Sequence, residues 1–532
     1  SFFTGVMIKS FLDGTASPGF NWSIPLVLGV GIVALGLTPR VGSNATLLYS
    51  FWVAAGAISV WSLVLAGIPA LRASAGRLET TLRAQHYIQA LCQFAVYAYW
   101  GWYWRPVYDM AVLIGAQLLF AYGFAMLLSW SRGRSYALGF GPIPIIGSIN
   151  LFLWFRDDWF YLQFLMVAVG FLGKDFIRWT RDGQQAHIFN PSAFALGLFS
   201  LVLIASGNTD LTWGQEIAST LTLAPRIYLF LFLVGLVVMY FFEITLVAGT
   251  AAAMLFGMSA LTFQVTGVPY FIDSDIPAAV FLGLHLLITD PSTSPRTPVG
   301  KTIFGALYGG GVFALYTLLG LMGAPTFYDK LLCVPLLNLS VRAIDHLVSK
   351  RAKTEAWTPS TRIAAQPVWL SPRPNLIRMG VWVLFFGVMS VTGRTDGQHT
   401  GDALPFWEHA CFEDLRNACD RLIQLETSYC GDNAAWACNE LGLHYRKGTI
   451  VEPNSELAGL YLARACELRY QSGCMNLLNP VGEIRTEPRL LDLRLMLREG
   501  GLNLMEMGRA DLLERACAHN WSFACPTEVG NT

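Results

Sequence analysis

The chain has 532 residues, of which 54% are hydrophobic and only 14% are charged. This composition excludes a soluble globular protein of this size and indicates a polytopic membrane protein. Lysine plus arginine equals aspartate plus glutamate at 36 each, so the charge gives no support for a nucleic-acid partner. We therefore expect an all-α fold, in which a bundle of membrane helices lies in the lipid bilayer and a polar tail follows residue 394.

Apolar runs long enough, or nearly long enough, to cross a bilayer recur along the first three-quarters of the chain. Three of them (143–155, 158–173 and 276–289) are short, so we predict about thirteen spans, give or take one or two. The runs fall at 22–38, 47–71, 86–104, 106–130, 143–155, 158–173, 190–206, 226–243, 247–266, 276–289, 301–322, 328–347 and 375–393.

Basic residues predict the orientation, because loops rich in lysine and arginine stay on the cytoplasmic side. With thirteen spans and a cytoplasmic N terminus, every basic loop falls inside, whereas the loops 206–225 and 267–275 carry almost no basic residues and fall outside. We expect the inner membrane of a bacterium, with the C-terminal tail in the periplasm. The basic loops contain Arg72, Arg77 and Arg83; Arg132 and Arg134; Lys174, Arg178 and Arg181; Arg296 and Lys301; and Lys350, Arg351, Lys353 and Arg362.

Eight of the ten cysteines lie in the tail, in four pairs that are each separated by eight positions. The pairs are Cys411/Cys419, Cys430/Cys438, Cys466/Cys474 and Cys517/Cys525. The two middle pairs are offset by 36 residues, a helical-hairpin repeat length, and the spacing suits a disulfide that joins the end of one helix to the next. Disulfides need an oxidising compartment, which agrees with the predicted orientation. The alternative is buried free thiols in a cytosolic repeat.

Between the middle cysteine pairs, residues 434–446 and 456–468 predict two amphipathic helices joined through Gly448 and Pro453. This tail resembles the cysteine-rich Sel-type helical repeat proteins over roughly 405–527, on the runs 437–445 and 465–474. Residues 479–495 fit an insertion in the last repeat. The resemblance implies that an extracytoplasmic protein docks on the tail, since such arrays bind proteins on a concave surface.

Two polar stretches interrupt the apolar part of the chain. One is His187-Ile-Phe-Asn-Pro-Ser-Ala-Phe194, in which Asn190 is placed as a helix N-cap and Pro191 as the first helical residue. The other runs from His285 to Lys301 and contains three prolines and Gly300, which keep the backbone out of a helix. Because non-helical backbone inside a membrane protein is tolerated only where protein or water covers it, we interpret the stretches as two halves of one ligand site at the cytoplasmic face.

These stretches carry the groups that a flat, partly polar ligand needs. A helix N terminus at Asn190 offers N–H groups and a positive dipole end, Arg296 or Lys301 could face a phosphate, and aromatic rings could form walls. The alternative is that Asn-Pro and Asp-Pro only cap helices and that the hydroxyls cap backbone groups. The candidate residues are His187, Phe189, Asn190, Ser192, Phe194, Thr289, Asp290, Ser292, Thr293, Ser294, Arg296, Thr297, Lys301 and Phe304.

The order of these motifs, His-x-Phe-Asn-Pro-Ser-Ala-Phe followed about a hundred residues later by Thr-Asp-Pro-Ser-Thr-Ser-Pro-x-Thr-x-x-Gly-Lys, resembles a known family. The family contains the B subunit of the sodium-pumping NADH:quinone reductase, the D subunit of the Rnf electron-transport complex and UnbU-like membrane proteins. The resemblance covers roughly 85–350. It implies a helical membrane subunit of two repeats that binds a flavin (FMN or riboflavin) and moves electrons across the bilayer within a complex of other subunits.

Members of that family carry covalent FMN on the last threonine of an Asp-x-x-Ser/Thr-Gly-Ala-Thr motif outside the membrane. The matching positions here are Glu216-Ile-Ala-Ser-Thr-Leu-Thr222, which keep the acidic, serine and final threonine positions but replace Gly-Ala by Thr220-Leu221. Because the transferase needs a slim acceptor, the bulk of Leu221 argues against FMN on Thr222, and an ordinary hydroxyl-rich helix start is the favoured interpretation.

We therefore predict four regions: additional membrane helices at 1–84, a membrane core at 85–350, a cytoplasmic loop and last membrane helix at 351–400, and outer repeats at 401–532. No nucleophile–base constellation or metal-ligand motif is visible in the sequence, so the expected function is that of a flavin-binding electron-transfer subunit and not of a complete enzyme. Two alternatives remain open: a cofactor-free scaffold whose tail docks partners, and a transporter that uses the two polar helix ends as a clamp.

Overall fold

The computed structural model describes residues 21–68, 77–181, 183–271, 274–352, 373–392, 404–431 and 433–478, with residues 395, 401 and 514. The described chain is mostly helical, and each of the thirteen apolar runs coincides with a helix. The longer helices are α1 Ile24–Gly36, α2 Ala45–Gly67, α3 Ala84–Tyr103, α4 Ala111–Ser131, α5 Pro142–Asn150, α6 Tyr161–Phe176, α7 Pro191–Ser206, α8 Gly214–Thr220, α9 Ile227–Phe242, α10 Thr245–Thr266, α11 Ala278–Leu286, α12 Pro298–Leu321, α13 Asp329–Ala352, α14 Arg373–Val391, α15 Leu404–Phe412, α16 Ala418–Gly431, α17 Ala435–Lys447, α18 Ser455–Glu467 and α19 Gln471–Leu478.

Four short strands form two two-stranded pairs. Strand β1 (Leu78–Thr80) pairs in parallel with β2 (Tyr136–Leu138), and β3 (Arg178–Arg181) pairs antiparallel with β4 (Gln184–His187). The β3–β4 hairpin ends three residues before the cap of α7, so it fixes how the chain enters that helix.

The predicted count of about thirteen spans is wrong as a count of full-length membrane helices. Among the described residues, six helices are long and apolar enough to cross a membrane, or seven if the pair Gly214–Leu223 and Ile227–Phe242, bent by 101°, is one span. The main reason is length: α5 and α11 have nine residues each, about 14 Å of helix against a hydrocarbon core of about 30 Å. Helices α1, α6 and α7 are also short, with 13, 16 and 16 residues.

The chain divides into two compact units. The first comprises Ser1–Leu221, Phe230–Met254 and Ala279–Val383, and the second comprises Thr222–Leu229, Leu255–Ala278 and Leu384–Thr532. The first unit contains both polar stretches, and the second contains the cysteine-rich tail.

Charged residues gather at two ends of the first unit. At one end, the Asp175 carboxylate pairs with Arg132, Arg134 and Arg178, next to the β3–β4 hairpin. At the other end, Arg40 binds Asp157 through two 2.8 Å hydrogen bonds. This separation follows from the sequence pattern, because the arginines that group around Asp175 come from loops predicted to share one side of the bilayer.

The tail is built from helical hairpins that disulfides join, as the cysteine spacing predicts. Bonds Cys411–Cys419, Cys430–Cys438 and Cys466–Cys474 all form, with Cα–Cα distances of 4.5–4.8 Å. The predicted fourth pair, Cys517 and Cys525, lies outside the described residues, as does the proposed insertion 479–495.

The two predicted tail helices are confirmed as α17 and α18. Gly448 ends α17 in the left-handed conformation, with φ 65°, which favours glycine. Asn454 then caps α18 by accepting hydrogen bonds from the N–H groups of Glu456 and Leu457 at 3.1 and 3.0 Å. The tail core consists of residues such as Trp407, Trp436 and Leu441, all less than 5% exposed.

A buried ion pair links α16 to α17. Glu426 is 1% exposed, and its carboxylate lies 3.3 Å from Nε2 of His444. Burial opposes protonation of His444, but the hydrogen bond and charge of Glu426 outweigh it and raise the pKa of His444. Burial also raises the pKa of Glu426, and burial together with the charge of Glu426 raises the pKa of Glu440 to about 7.

These shifts predict that the tail loses stability as the pH rises. All three groups bind protons more tightly in the folded chain than in the unfolded one, so their contribution is complete at low pH and is lost as the pH rises through the folded values. For Glu440 the window runs from about 4.5, its ordinary value, to about 7. We expect the tail to lose on the order of 2 kcal/mol between pH 5 and pH 8, measured on the full chain by pulse proteolysis in urea.

Glu440→Gln should flatten this pH dependence, whereas Glu456→Gln, at an exposed position of α18, should leave it unchanged. A tail that gains stability between pH 5 and pH 8 would contradict the assignment.

Thiol counting tests the disulfides. Cys92 and Cys333 are buried and unpaired, so with all four tail pairs oxidised the denatured, unreduced chain should take up two alkyl groups and the reduced chain ten. Mass spectrometry of the purified protein measures both numbers. Four alkyl groups before reduction would show that Cys517 and Cys525 are unpaired, and eight or more would refute the disulfide-bonded tail.

Candidate functional site

The first half of the candidate site is the entry to α7. Strand β4 ends at His187, and Asn190 caps the helix by accepting hydrogen bonds from the N–H groups of Ser192 (3.1 Å) and Ala193 (3.4 Å). Pro191 is the first helical residue, where its missing N–H has no consequence. This confirms the cap predicted from the Asn-Pro pattern.

The second half is the break between α11 and α12. Asp290 caps a 3₁₀ turn, Pro291–Thr293, by accepting a 2.9 Å hydrogen bond from the N–H of Ser292. Thr297 caps α12 in the same way, accepting from the N–H of Gly300 at 3.0 Å. The Pro-rich stretch therefore consists of two successive caps.

The two halves meet. The hydroxyl of Ser292 lies 2.8 Å from Nε2 of His187, and the same nitrogen lies 3.4 Å from a carboxylate oxygen of Asp290. The side-chain amide of Asn190 donates to the Leu287 carbonyl at 3.1 Å, which the end of α11 leaves without a helical partner. Segments about a hundred residues apart thus form one polar cluster.

Asn338, on α13, ties both halves together from a third element. Its side-chain oxygen accepts from the N–H of Asn190 at 3.0 Å, and its amide donates to the Thr293 carbonyl at 3.2 Å. Asn338 is 1% exposed, so water cannot replace either bond.

Arg181, the last residue of β3, stabilises the second half of the site. It donates to the carbonyls of Ser292 (3.3 Å) and Ser294 (3.1 Å) and pairs with Asp345 at 2.7 Å. Because the guanidinium is planar and always charged, the brace holds the 3₁₀ turn at any physiological pH.

The serine hydroxyls of the cluster donate their hydrogen bonds to other groups of the protein. Ser192 donates to Asn190 Oδ1 at 2.7 Å. Ser292 donates to Asp290 Oδ1 at 2.6 Å and Ser294 to the Asp290 carbonyl at 2.9 Å. Each oxygen keeps lone pairs, so toward a ligand these hydroxyls act as acceptors.

Asp290 is held as a carboxylate. Burial raises its pKa, but hydrogen bonds and charge from His187, with hydrogen bonds from Ser292, outweigh this and lower the pKa of Asp290 to about 2. The cluster therefore contains one fixed negative charge.

Two buried polar groups at the site have no hydrogen-bond partner among the residues that the structure describes. They are the hydroxyl of Thr289 and the indole N–H of Trp179. Thr289 is 1% exposed, and an unsatisfied buried hydroxyl costs about 1–3 kcal/mol. Such groups indicate where a ligand or an ordered water completes the site.

Lys174 and His86 both interact with the charge of Asp290. The carboxylate attracts the half-buried Lys174, which also interacts with the charge of Arg83, and His86 interacts with the charges of Lys174, Arg83 and Asp290. No carboxylate lies within salt-bridge distance of Lys174 in the described part of the chain. Lys174 is therefore the cation that Asp290 attracts, and the charge of Asp175 attracts the same lysine.

The two basic residues predicted to face a phosphate have other contacts. Lys301 donates to the Glu243 carbonyl at 2.8 Å, just after the end of α9, and the N–H of Arg296 is directed at Asp345, 3.4 Å away. The aromatic walls form only in part: the rings of Phe189 and Phe194 stack with centroids 4.9 Å apart, and Phe304 is buried at 1% exposure.

The stretch proposed for covalent FMN is a helix followed by a turn. Glu216 pairs with Arg156 at 2.9 Å and accepts a hydrogen bond from Thr220 through its carbonyl. Leu221 is fully buried, and Thr222 is half-buried in the 3₁₀ turn Leu221–Leu223. Nothing in this geometry makes Thr222 a slim, exposed acceptor.

Sequence reasoning missed Arg181, Asn338 and Lys174. A signal existed for Asn338, which is a polar residue inside an apolar run. In the sequence, Arg181 and Lys174 are noticeable only as basic loop residues that predict the orientation in the membrane. No local pattern links either of them to Asp290. Among the described residues, no group of three or more His, Cys, Asp or Glu side chains could hold a metal ion.

Comparison with known proteins adds no identification: no family model, no curated protein and no solved structure matches the chain.

The bridge at Asn338 predicts a large stability effect. Asn338→Leu strands the buried Asn190 N–H and the Thr293 carbonyl, so we expect a loss of about 2–5 kcal/mol, seen as a lower midpoint of thermal unfolding in detergent. Asn338→Asp keeps the acceptor and should lose less. Asn208→Leu, at an exposed loop position, serves as the control, and equal midpoints for the Asn338→Leu and Asn208→Leu variants would refute the bridge.

Proposed function

We propose that this protein is a membrane-embedded electron-transfer subunit that holds a flavin at the Asn190–Asp290 cluster and passes electrons to or from partner subunits. The single observation that carries the proposal is the convergence of the two capped helix breaks, with Ser292 2.8 Å from His187. Broken helices that meet inside a membrane protein are the usual place for a bound polar ligand.

The residues of the cluster suit a flavin in stated roles. The hydroxyls of Ser192 and Ser292, whose protons are already used, accept hydrogen bonds from ring N–H groups, while the unpaired hydroxyl of Thr289 donates to a ring carbonyl. Phe189 stacked on Phe194 offers an apolar face. A bound flavin would supply the capacity to take up and release electrons singly or in pairs.

The positions of the basic residues also suggest where the phosphate of FMN would bind. Lys174 interacts with the charge of Asp290, whereas Lys301 caps the end of another helix. FMN would therefore direct its phosphate to Lys174, and the fixed charge of Asp290 would orient the lysine. Lys174 thus takes the phosphate-binding role that the sequence suggested for Arg296 or Lys301.

The proposal places the cluster at the cytoplasmic face of a bacterial inner membrane. The arginines around Asp175 lie next to the β3–β4 hairpin, and basic loops favour the cytoplasm. The disulfide-bonded tail then lies in the periplasm, where its helical repeats dock an extracytoplasmic protein.

An adaptor without cofactor is the second candidate. The observation that favours it is that the hydroxyls of Ser192, Ser292 and Ser294 are already hydrogen-bonded within the chain. In that case the caps only stabilise the bundle, and the function lies in the tail, which three disulfides hold together.

Thr289→Val separates the two candidates. Under the flavin proposal, the purified wild type shows a flavin absorbance band. The variant should contain at least five-fold less flavin per protein, because the buried donor is gone. Under the adaptor reading, the wild type is colourless and the variant unfolds at a higher temperature, because an unsatisfied hydroxyl has been replaced by a methyl group of similar shape.

Absorbance and thermal unfolding of the detergent-purified chain measure both quantities. Thr317→Val, whose exposed hydroxyl donates within its own helix, should match the wild type in both. A colourless wild type removes the flavin proposal.

A further inference from the structure

Three arginines converge on one carboxylate next to the β3–β4 hairpin. Arg132, Arg134 and Arg178 each place a guanidinium nitrogen 2.5–3.3 Å from an oxygen of Asp175. Arg132 and Arg134 follow α4, whereas Arg178 opens β3, so two separate segments build the group. We call these four residues the arginine cluster. With three positive charges and one negative charge, it has a net charge of +2.

The guanidinium groups, and not the carboxylate, form the outer surface of the arginine cluster. The side chains of Arg132, Arg134 and Arg178 are 30%, 49% and 33% exposed, whereas that of Asp175 is 19% exposed. Arg132 also donates to the Asp175 carbonyl and Arg178 to the Lys174 carbonyl. Each guanidinium has five N–H donors, so these bonds within the described part of the chain leave donors on all three arginines for a group outside it.

The charges beside the arginine cluster do not cancel its excess. Glu79 accepts a 2.6 Å hydrogen bond from the hydroxyl of Ser135, the residue after Arg134. Arg77 lies two residues before Glu79, in the segment whose backbone pairs with β2, and alternate side chains of an extended strand share a face. One acid and one base are therefore added on this flank, and the net charge stays positive.

The arginine cluster lies where a membrane helix leaves the bilayer. The span Pro106–Ser131, which includes α4, is long and apolar enough to cross a membrane. Arg132 is the next residue, and Arg134 follows two positions later. Because the polar headgroups begin where the hydrocarbon core ends, these guanidinium groups lie at the depth of the lipid phosphates.

An apolar face of α6 leads to the same place from within the bilayer. Tyr161, Leu165, Leu172 and Phe176 are 37–58% exposed, and their spacing places them on one side of the helix. This face is about 22 Å long. At its end, the Arg132 guanidinium lies 4.6 Å from the centroid of the Phe176 ring. The apolar face is therefore continuous with the arginine cluster.

We propose that the arginine cluster and the exposed face of α6 bind one anionic phospholipid. Its phosphate would lie on the guanidinium groups, whose planar fork suits bidentate hydrogen bonds to a phosphate, and an acyl chain would lie along α6. The positive charge selects against a zwitterionic lipid, because the ammonium group of such a lipid is repelled. Basic pockets beside membrane helices are typical sites for anionic headgroups. The site shares no residue with the Asn190–Asp290 cluster and does not require the flavin.

Native mass spectrometry of the purified full-length chain tests the site by counting bound lipids. Phosphatidylglycerol should bind about five-fold or more tightly than phosphatidylcholine with the same acyl chains. Arg134→Gln and Arg178→Gln should each weaken phosphatidylglycerol binding about five-fold, because one basic residue near the membrane surface contributes about 1 kcal/mol. Arg105→Gln is the matched control, since Arg105 is also exposed and lies over an aromatic ring, 5.3 Å from Trp102, and this variant should bind like the wild type.

Equal binding of the two lipids by the wild type would overturn the proposal, and so would undiminished phosphatidylglycerol binding in Arg134→Gln. Inorganic phosphate at the same concentration should not displace the lipid, and displacement would indicate a site for soluble phosphate instead.

The acyl part of the site is tested separately in phosphatidylglycerol vesicles. A fluorophore attached to Phe176→Cys should be quenched by phosphatidylglycerol that is brominated on its acyl chains, because this position lies at the lipid-facing end of α6. A fluorophore that brominated lipid does not quench would show that the face is covered by protein, which would contradict the lipid site. If Arg178→Gln does not fold, Arg134→Gln, at the most exposed of the three arginines, decides the result.

Discussion

The structure depends on one constraint: where a helix breaks inside an apolar surrounding, every freed N–H and C=O group needs a partner from the protein. Asn338 meets this constraint for the N–H of Asn190 and the Thr293 carbonyl, and Gln163 meets it for Phe155 and Leu153. The polar residues of the membrane part are thus concentrated at the ends of short helices. The same breaks that need side-chain partners also create the places where a guest can bind.

The surroundings of Asp290 favour a particular class of ligand. Helix starts and the cation Lys174 favour an anionic or carbonyl-bearing ligand there. This cluster belongs to the first unit, and the disulfide-bonded tail belongs to the second.

Local patterns predicted much of this fold. Asn-Pro predicted the cap of α7, the cysteine spacing of eight predicted three disulfides, and the apolar runs marked thirteen helices before the tail. The span count failed mainly because α1, α5, α6, α7 and α11 have only 9 to 16 residues, and hydropathy alone does not separate a half-helix from a short span. The roles of Asn338, Arg181 and Lys174 depend on contacts across 45 to more than 100 residues, which no single-chain pattern encodes. The electron-transfer assignment itself rests on motif resemblance together with the observed convergence.

That convergence can be tested directly by cross-linking. His187→Cys with Ser292→Cys puts thiols on the two positions whose native side chains meet at 2.8 Å, and Thr180→Cys with Gln185→Cys, on paired positions of β3 and β4, is a positive control. Treatment in membranes with a short bifunctional thiol cross-linker, which spans the length of the lost imidazole, followed by proteolysis between the two positions, should leave the fragments joined in both variants. Fragments that separate in the first variant while the control stays joined would contradict the account.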